Sequence, residues 1–422
     1  MKNLIQKKII KNLFLMFLIW CNRMHVEKIY DFVYYLFLFV ICVGHALFIY
    51  TPELQLFRLF FIFLPIFLFY TNYQVSKINI TWGILVFFNV YLLYNFWITI
   101  LFNSISFNNV FNFIILTLFA NFFLFMSAKD IEKRIKNFYI FSIIFLIGTF
   151  IWTLFEIYLQ LHLPISRFSV LEEKSHIPTV FYHNENDFAA VYLLIFLLRS
   201  CIKVELYEKK VDVFDLLFFI MSLVISMVTQ ARLVFLILFI SILLLFFFRF
   251  GFAIKSLILS ICSFFCVFNF DILLDFFKLF FSNKGSNEIR FNLILTGLES
   301  FTRYGNIWGY GINQSDYYYE KILHTDRYLG GIINPHAFLV EILLNSGLIF
   351  FLGFLICNLY LTFYFYRIRK YLFSIYALLY FFILMGSSSS LFLWPHYLCF
   401  FMLFIVKKSM EKSINYKNVG EP

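Results

Sequence analysis

Three side chains have the type and setting for chemistry on an anionic substrate that carries hydroxyl groups: Arg232, Arg290 and His336. Arg232 stands between two apolar runs, 213–229 and 232–248, where an isolated cation is costly unless it has a partner or a task. Its guanidinium presents a planar fork of donors that matches a phosphate or pyrophosphate by paired hydrogen bonds. The plain alternative is a helix-end arginine that snorkels to the interface. Arg290, in Asn287-Glu288-Ile289-Arg290-Phe291, has two readings, a contact to a lipid phosphate or a solvated helix charge. His336 follows Asn334 and Pro335, a good N-cap and a residue favoured at the first helical position. That places His336 in the first turn of a long apolar helix. The partial positive charge at a helix start favours the neutral imidazole, the form a general base on a hydroxyl needs. The alternative is a histidine that caps or anchors the helix at an interface. Glu341, about 140° further round the same helix, is poorly placed to orient it.

A second group of polar residues opens another apolar run: His183-Asn184-Glu185-Asn186-Asp187. Asn186 or Asp187 can cap that helix, but the cluster holds more polar side chains than one cap uses. Asn184, Asn186 and Asp187 are therefore candidate sugar- or acceptor-binding residues, as is Tyr310 in the turn Gly309-Tyr310-Gly311. No His, Cys and carboxylate cluster has metal-ligand spacing, so no metal site is expected. Neither GxxxxGK[ST] nor GxGxxG is present. The 7 cysteines lie within or beside apolar runs, outside the large polar stretch and without a CxxC, and read as structural thiols.

The elements that must position these residues are membrane spans. Hydrophobic residues make up 62% of the chain and charged residues 14%, against about 25% charged in a soluble domain. The mean hydropathy is +0.85. The apolar runs are continuous rather than alternating, which excludes a barrel and predicts an all-α polytopic membrane protein. The expected spans, about 12 of them at about 20 residues each, are 30–49, 55–70, 80–102, 110–127, 138–160, 187–202, 213–229, 232–248, 254–270, 336–357, 371–387 and 391–406. Residues 1–29 read as a cytoplasmic or interfacial segment and 407–422 as a cytoplasmic tail. With both termini inside, most Lys and Arg residues fall on the cytoplasmic side and the short outer connections are nearly free of them. The long polar stretch 271–335, after the ninth span, is then extracytoplasmic, and so is 162–187. Within the stretch, 288–303 has amphipathic spacing and an i,i+4 pair, Glu299 and Arg303. The net charge of +10 does not gather on one soluble face, so no nucleic-acid partner is expected.

Taken in order, four segments resemble the O-antigen ligase/polymerase superfamily of bacterial membrane glycosyltransferases, the Wzy-type polysaccharide polymerases and lipopolysaccharide O-antigen ligases of GT-C type. Thr229-Gln230-Ala231-Arg232 resembles that family's Thr-x-(Ser/Thr)-Arg element, with Ala231 in place of the hydroxyl residue. Arg290, followed by Gly297-Leu298 and Gly309-Tyr310-Gly311, is similar to its loop arginine and Gly-x-Gly turn. Pro335-His336 through Glu341 to Ser346-Gly347-Leu348 is similar to its histidine run, with Ala337 where an Asn often follows the histidine. Asn184-x-Asn186-Asp187-Phe188-Ala189 resembles its Asn-x-Asn element. The resemblance covers roughly residues 30–406.

The resemblance implies a glycan donor on undecaprenyl pyrophosphate in the outer leaflet of the bacterial inner membrane, with the active site facing the periplasm. Arg232 and Arg290 would hold the pyrophosphate, and His336 would deprotonate an acceptor hydroxyl for inverting transfer. No cofactor, nucleotide sugar or metal would be needed. The implied partners are the lipid-linked oligosaccharide, a glycan or lipid A core acceptor, membrane lipids, a chain-length regulator and a flippase. Polymerase and ligase readings both stand, with polymerase preferred. A polysaccharide transporter or flippase is the alternative of another class, disfavoured because the ionisable residues gather at the outer surface and no repeat is visible.

Overall fold

A computed structural model describes residues 26–43, 82–101, 114, 117–121, 123, 130–159, 178–180, 182, 185–229, 231, 234–241, 286–304, 307–311, 337–386 and 394–419. The described chain is all-helical, 89% in helix with no strand. Its main elements are α1 (Val26–Val43), α2 (Trp82–Leu101), α3 (Ile131–Leu159), α4 (Glu185–Cys201), α5 (Val213–Val228), α6 (Ser286–Tyr304), α7 (Phe338–Arg367), α8 (Tyr371–Gly386) and α9 (Trp394–Val419). The chain pauses after α5 at Thr229 and is helical again over 234–241. Spans expected at 55–70 and 254–270, and most of 271–335, lie outside the described residues.

The contacts between helices sort their ends. At one end the start of α1 meets the start of α3, where Asp31 binds Lys133 and Arg134, each at 2.8 Å. The end of α4 meets the start of α5, where Arg199 binds Asp215 at 2.9 Å. The Arg199 guanidinium also lies over the ring of Phe218 at 4.3 Å and that of Tyr139 at 5.2 Å. A π-helical turn, Ile202–Leu206, then widens the chain and brings Lys203 to Asp215 at 2.5 Å and to Asp212 at 2.7 Å. Asp212 caps α5 reciprocally with Asp215. Glu205, from the same turn, accepts from the amides of Leu372 and Phe373 and so caps α8. Each acidic group there has a basic or amide partner, which is the condition for burying charge.

Three helices bury polar side chains among apolar ones and leave many large apolar side chains exposed. On α3 the buried face carries Arg134, Asn137, Ser142, Thr149, Thr153 and Glu156, while Ile140, Ile144, Ile147, Ile151, Leu154 and Phe155 are exposed. On α2 Asn95 and Thr99 are buried while Val86, Val90, Leu93, Trp97 and Leu101 are exposed. On α5 Ser222 and Ser226 are buried while Leu216, Leu217, Ile220 and Met227 are exposed. Water would favour the opposite arrangement on all three helices, whereas a hydrocarbon surround favours this one. Among the described residues two helices, α3 and α7, are long and apolar enough to cross a membrane.

The charged end yields a pH window. The bond from Lys203 holds the Asp212 carboxyl below its ordinary value of 3.8. Burial pulls Lys203 down, but its two carboxylate partners outweigh burial and hold it above the ordinary 10.5. A lowered acid stabilises the fold above 3.8 and loses that contribution as pH falls, and a raised base stabilises it below 10.5 and loses that as pH rises. Asp215→Ala would leave the buried Arg199 without its carboxylate and Lys203 with Asp212 alone, and should cost about 3–5 kcal/mol. The check is the thermal midpoint of purified protein in detergent, which should fall by several degrees at pH 7, while the parent midpoint drops only at the acid and alkaline extremes.

Candidate functional site

At the opposite end of the bundle α7 is broken. Gly347 sits at φ 80°, ψ 176° inside an otherwise helical run. The break frees carbonyls and an amide that the helix would have paired, and buried groups of that kind must find other partners. They find them in the segment 307–311. The amide of Tyr310 donates to the carbonyl of Leu344 at 3.0 Å, that of Gly311 to Asn345 at 2.9 Å, and that of Leu348 to Ile307 at 2.8 Å. The segment is therefore a strap laid into the open turn of the helix. Three such bonds contribute about 0.5–1.5 kcal/mol each, and each group left buried and unbonded would cost about 1–3 kcal/mol.

Two glycines permit the approach. A Cβ on Gly309 would fall 2.5 Å from the carbonyl oxygen of Asn345, and one on Gly347 would fall 2.6 Å from the amide nitrogen of Gly309. Both also hold positive φ, which L side chains rarely adopt. Two sequence segments singled out above, Gly309-Tyr310-Gly311 and Ser346-Gly347-Leu348, are thus hydrogen-bonded to each other.

The second half of α2 is the seat for this junction. Ser346 Oγ donates to Asn95 Oδ1 at 2.8 Å, and Asn95 Nδ2 donates to the carbonyl of Tyr91 at 2.8 Å. The Tyr94 hydroxyl donates to the carbonyl of Trp308. Gly311 lies over Thr99, whose Cα would be 3.0 Å from an added Cβ. Tyr91, Asn95 and Thr99 recur every fourth residue and so share a face. A small apolar gap lined by Phe87, Tyr91, Ile342, Phe350, Phe354 and Tyr397 adjoins them.

Helix α6, which carries Arg290, packs on the first half of α7. Leu293 shares a buried cluster with Ala337, Val340 and Leu344. Leu293 is one turn beyond Arg290, and Ala337 immediately follows His336. The helix expected over 288–303 is present as α6, and Glu299 pairs with Arg303. Helix α7 begins later than an Asn334 cap predicts: Ala337 is the N-cap, extended at φ −146°, ψ 109°, so His336 precedes the helix instead of lying in its first turn. Arg232, His336 and Asn184 lie outside the described residues, as does the Arg290 side chain.

Asn186 and Asp187 open α4, which starts at Glu185, and both are buried. Nearby, the buried Glu156 carboxylate accepts from the amides of Thr179 and Val180, both at 3.0 Å. Tyr310 is 4% exposed, turned into the junction. Sequence reading missed Tyr91, Tyr94, Asn95 and Thr99, and gave Ser346 no role beyond its place in the Ser346-Gly347-Leu348 segment. The available signal was Asn95, an amide in the middle of an apolar span, with tyrosine and threonine one turn either side. Comparison with protein-family models and with curated proteins gives no match.

Gly347→Ala and Gly309→Ala should each destabilise the junction by at least the about 1–3 kcal/mol of a strained backbone residue. Gly148→Ala is the control, because an added Cβ there meets nothing within 4 Å and the residue is helical. Unfolding midpoints in detergent should fall for the first two and hold or rise for the third.

Proposed function

We propose that this protein is a bacterial cell-surface polysaccharide polymerase, a multi-pass inner-membrane glycosyltransferase acting at the outer face. The observation that carries the reading is the strap in the α7 break. It ties the Gly309-Tyr310-Gly311 turn, and with it the Arg290 helix, to the helix that His336 precedes. The exposed apolar faces of α2, α3 and α5 support the membrane setting, and the charged cluster at the other end supports a cytoplasmic assignment for that end.

In this reading the donor is a glycan on undecaprenyl pyrophosphate. The acceptor hydroxyl attacks the anomeric carbon from the face opposite the pyrophosphate, and His336 takes its proton. The C–O bond to the pyrophosphate breaks, and Arg232 with Arg290 stabilises the charge that develops on the departing group. Two guanidinium groups supply the compensation a divalent cation would otherwise give, so the proposed reaction is independent of metal and of nucleotide sugar. Asn184, Asn186, Asp187 and Tyr310 would line the sugar side. The acceptor is a second lipid-linked glycan in the polymerase reading, and lipid A core in the ligase reading. A chain-length regulator and a flippase are the proposed partners.

A transporter reading has one observation in its favour, the discontinuous α7, since transporters place substrates at broken helices. Here, though, the freed backbone groups at the break are taken up by the strap. Glycan profiling of a deletion strain separates the readings. Arg232→Ala and His336→Ala should remove the long-chain ladder, leave single repeats on the acceptor, and leave protein levels normal. Loss of all attached glycan with long lipid-linked chains accumulating means a ligase, and an unchanged ladder means neither.

A further inference from the structure

We propose that Tyr94, Asn95 and Ser346 are positioning residues of the transfer site, locking the strap 307–311 into the Gly347 break and so fixing the Arg290 helix against the start of α7. The inference rests on the glycan-transfer reading and adds to it residues from α2, a helix that otherwise reads as plain membrane span. Each of the three is bonded to a different part of the junction. Ser346, beside the break, donates to Asn95 across the helix interface at 2.8 Å. Asn95 is itself 0% exposed and oriented by its bond to the Tyr91 carbonyl. Tyr94 reaches the strap directly, at the carbonyl of Trp308. The α2 face thus grips both the broken helix and the segment laid into it.

The link from strap to site is short. Helix α6 ends at Tyr304 and the strap begins at Ile307, three Cα steps that span at most about 11 Å. Leu344 serves both contacts: its carbonyl accepts from the strap, and its side chain packs with Leu293 of α6. A strap released from the break therefore loosens one end of α6 and removes the partner of the residue that the other contact uses. A misplacement of about 1 Å in a reacting group can cost about a hundredfold in rate. The three residues touch neither donor nor acceptor in this scheme, and act only through the strap.

The test uses the full chain in cells, with a membrane-impermeant maleimide as probe. Trp308 is 58% exposed and Tyr310 is 4% exposed, so Trp308→Cys should label and Tyr310→Cys should be protected, with the parent chain as background for its own cysteines. Adding Ser346→Ala or Asn95→Leu should expose Cys at 310, and either change in a chain that keeps Tyr310 should lower the long-chain glycan by about tenfold or more. Ser346→Thr keeps the hydroxyl and should restore both protection and product. Tyr94→Phe removes a single oxygen and is the variant least able to unfold the chain. It should raise labelling at 310 while the protein level stays normal. Labelling at 310 that equals labelling at 308 in the otherwise unchanged chain overturns the docked strap. Exposure of 310 with the glycan unchanged overturns the positioning role and leaves the transfer reading standing. If instead Arg232→Ala and His336→Ala leave the glycan at the parent level, the transfer reading fails and takes the proposal with it, whatever the labelling shows.

Discussion

A helix opened in apolar surroundings must have its freed amides and carbonyls bonded by something else, and that requirement organises the described residues around the α7 break. The break at Gly347 would expose Leu344, Asn345 and Leu348 backbone groups to an environment that cannot solvate them. The strap answers with a matching set of backbone groups, and it can do so only because Gly309 and Gly347 leave room for two main chains to touch. The sequence separates these glycines widely, yet the physics makes them one unit. The polar face of α2 follows from the same demand, since Asn95 and Tyr94 sit where the junction still presents a hydroxyl or carbonyl.

The other end of the bundle meets a related demand by different means. There the groups to be satisfied are charges, and the solution is reciprocal pairing within a short segment. The π-helical turn after α4 delivers Lys203 to Asp212 and Asp215 and Glu205 to the first amides of α8, so a single local widening ties α4, α5 and α8 together. Between the two ends the interior polar groups are mostly hydroxyls returned to their own helix, as at Thr149 and Thr153, which burdens packing little. Among the described residues, one end is thus held by charge pairing and the α7 break by backbone pairing.

Much of the architecture was legible before the structure. Continuous apolar runs announced helices at 80–102, 213–229 and 371–387 that appear within a few residues as α2, α5 and α8. The i,i+4 pair Glu299–Arg303 announced α6. What the sequence hid was pairing at a distance. Nothing local to Gly347 says that the helix opens there, because a lone glycine in an apolar helix is tolerated. Nothing local to Gly309-Tyr310-Gly311 says that its amides belong to Leu344 and Asn345. The start of α7 was misjudged for a related reason: Asn334-Pro335 is a sound capping signal, but Ala337 is held extended and the helix waits until Phe338. Likewise Asn95 carries no role in the sequence reading, because its partner, Ser346, stands 251 residues away.

The account stands or falls on the fate of a lipid-linked glycan at the outer face. The direct measurement is made on purified protein in liposomes supplied with glycan on undecaprenyl pyrophosphate, with a chelator present and no nucleotide sugar, by following release of free undecaprenyl pyrophosphate and growth of the glycan. Release matched by longer glycan chains is the predicted result. Movement of the intact lipid-linked glycan across the bilayer, with no undecaprenyl pyrophosphate released, would contradict it.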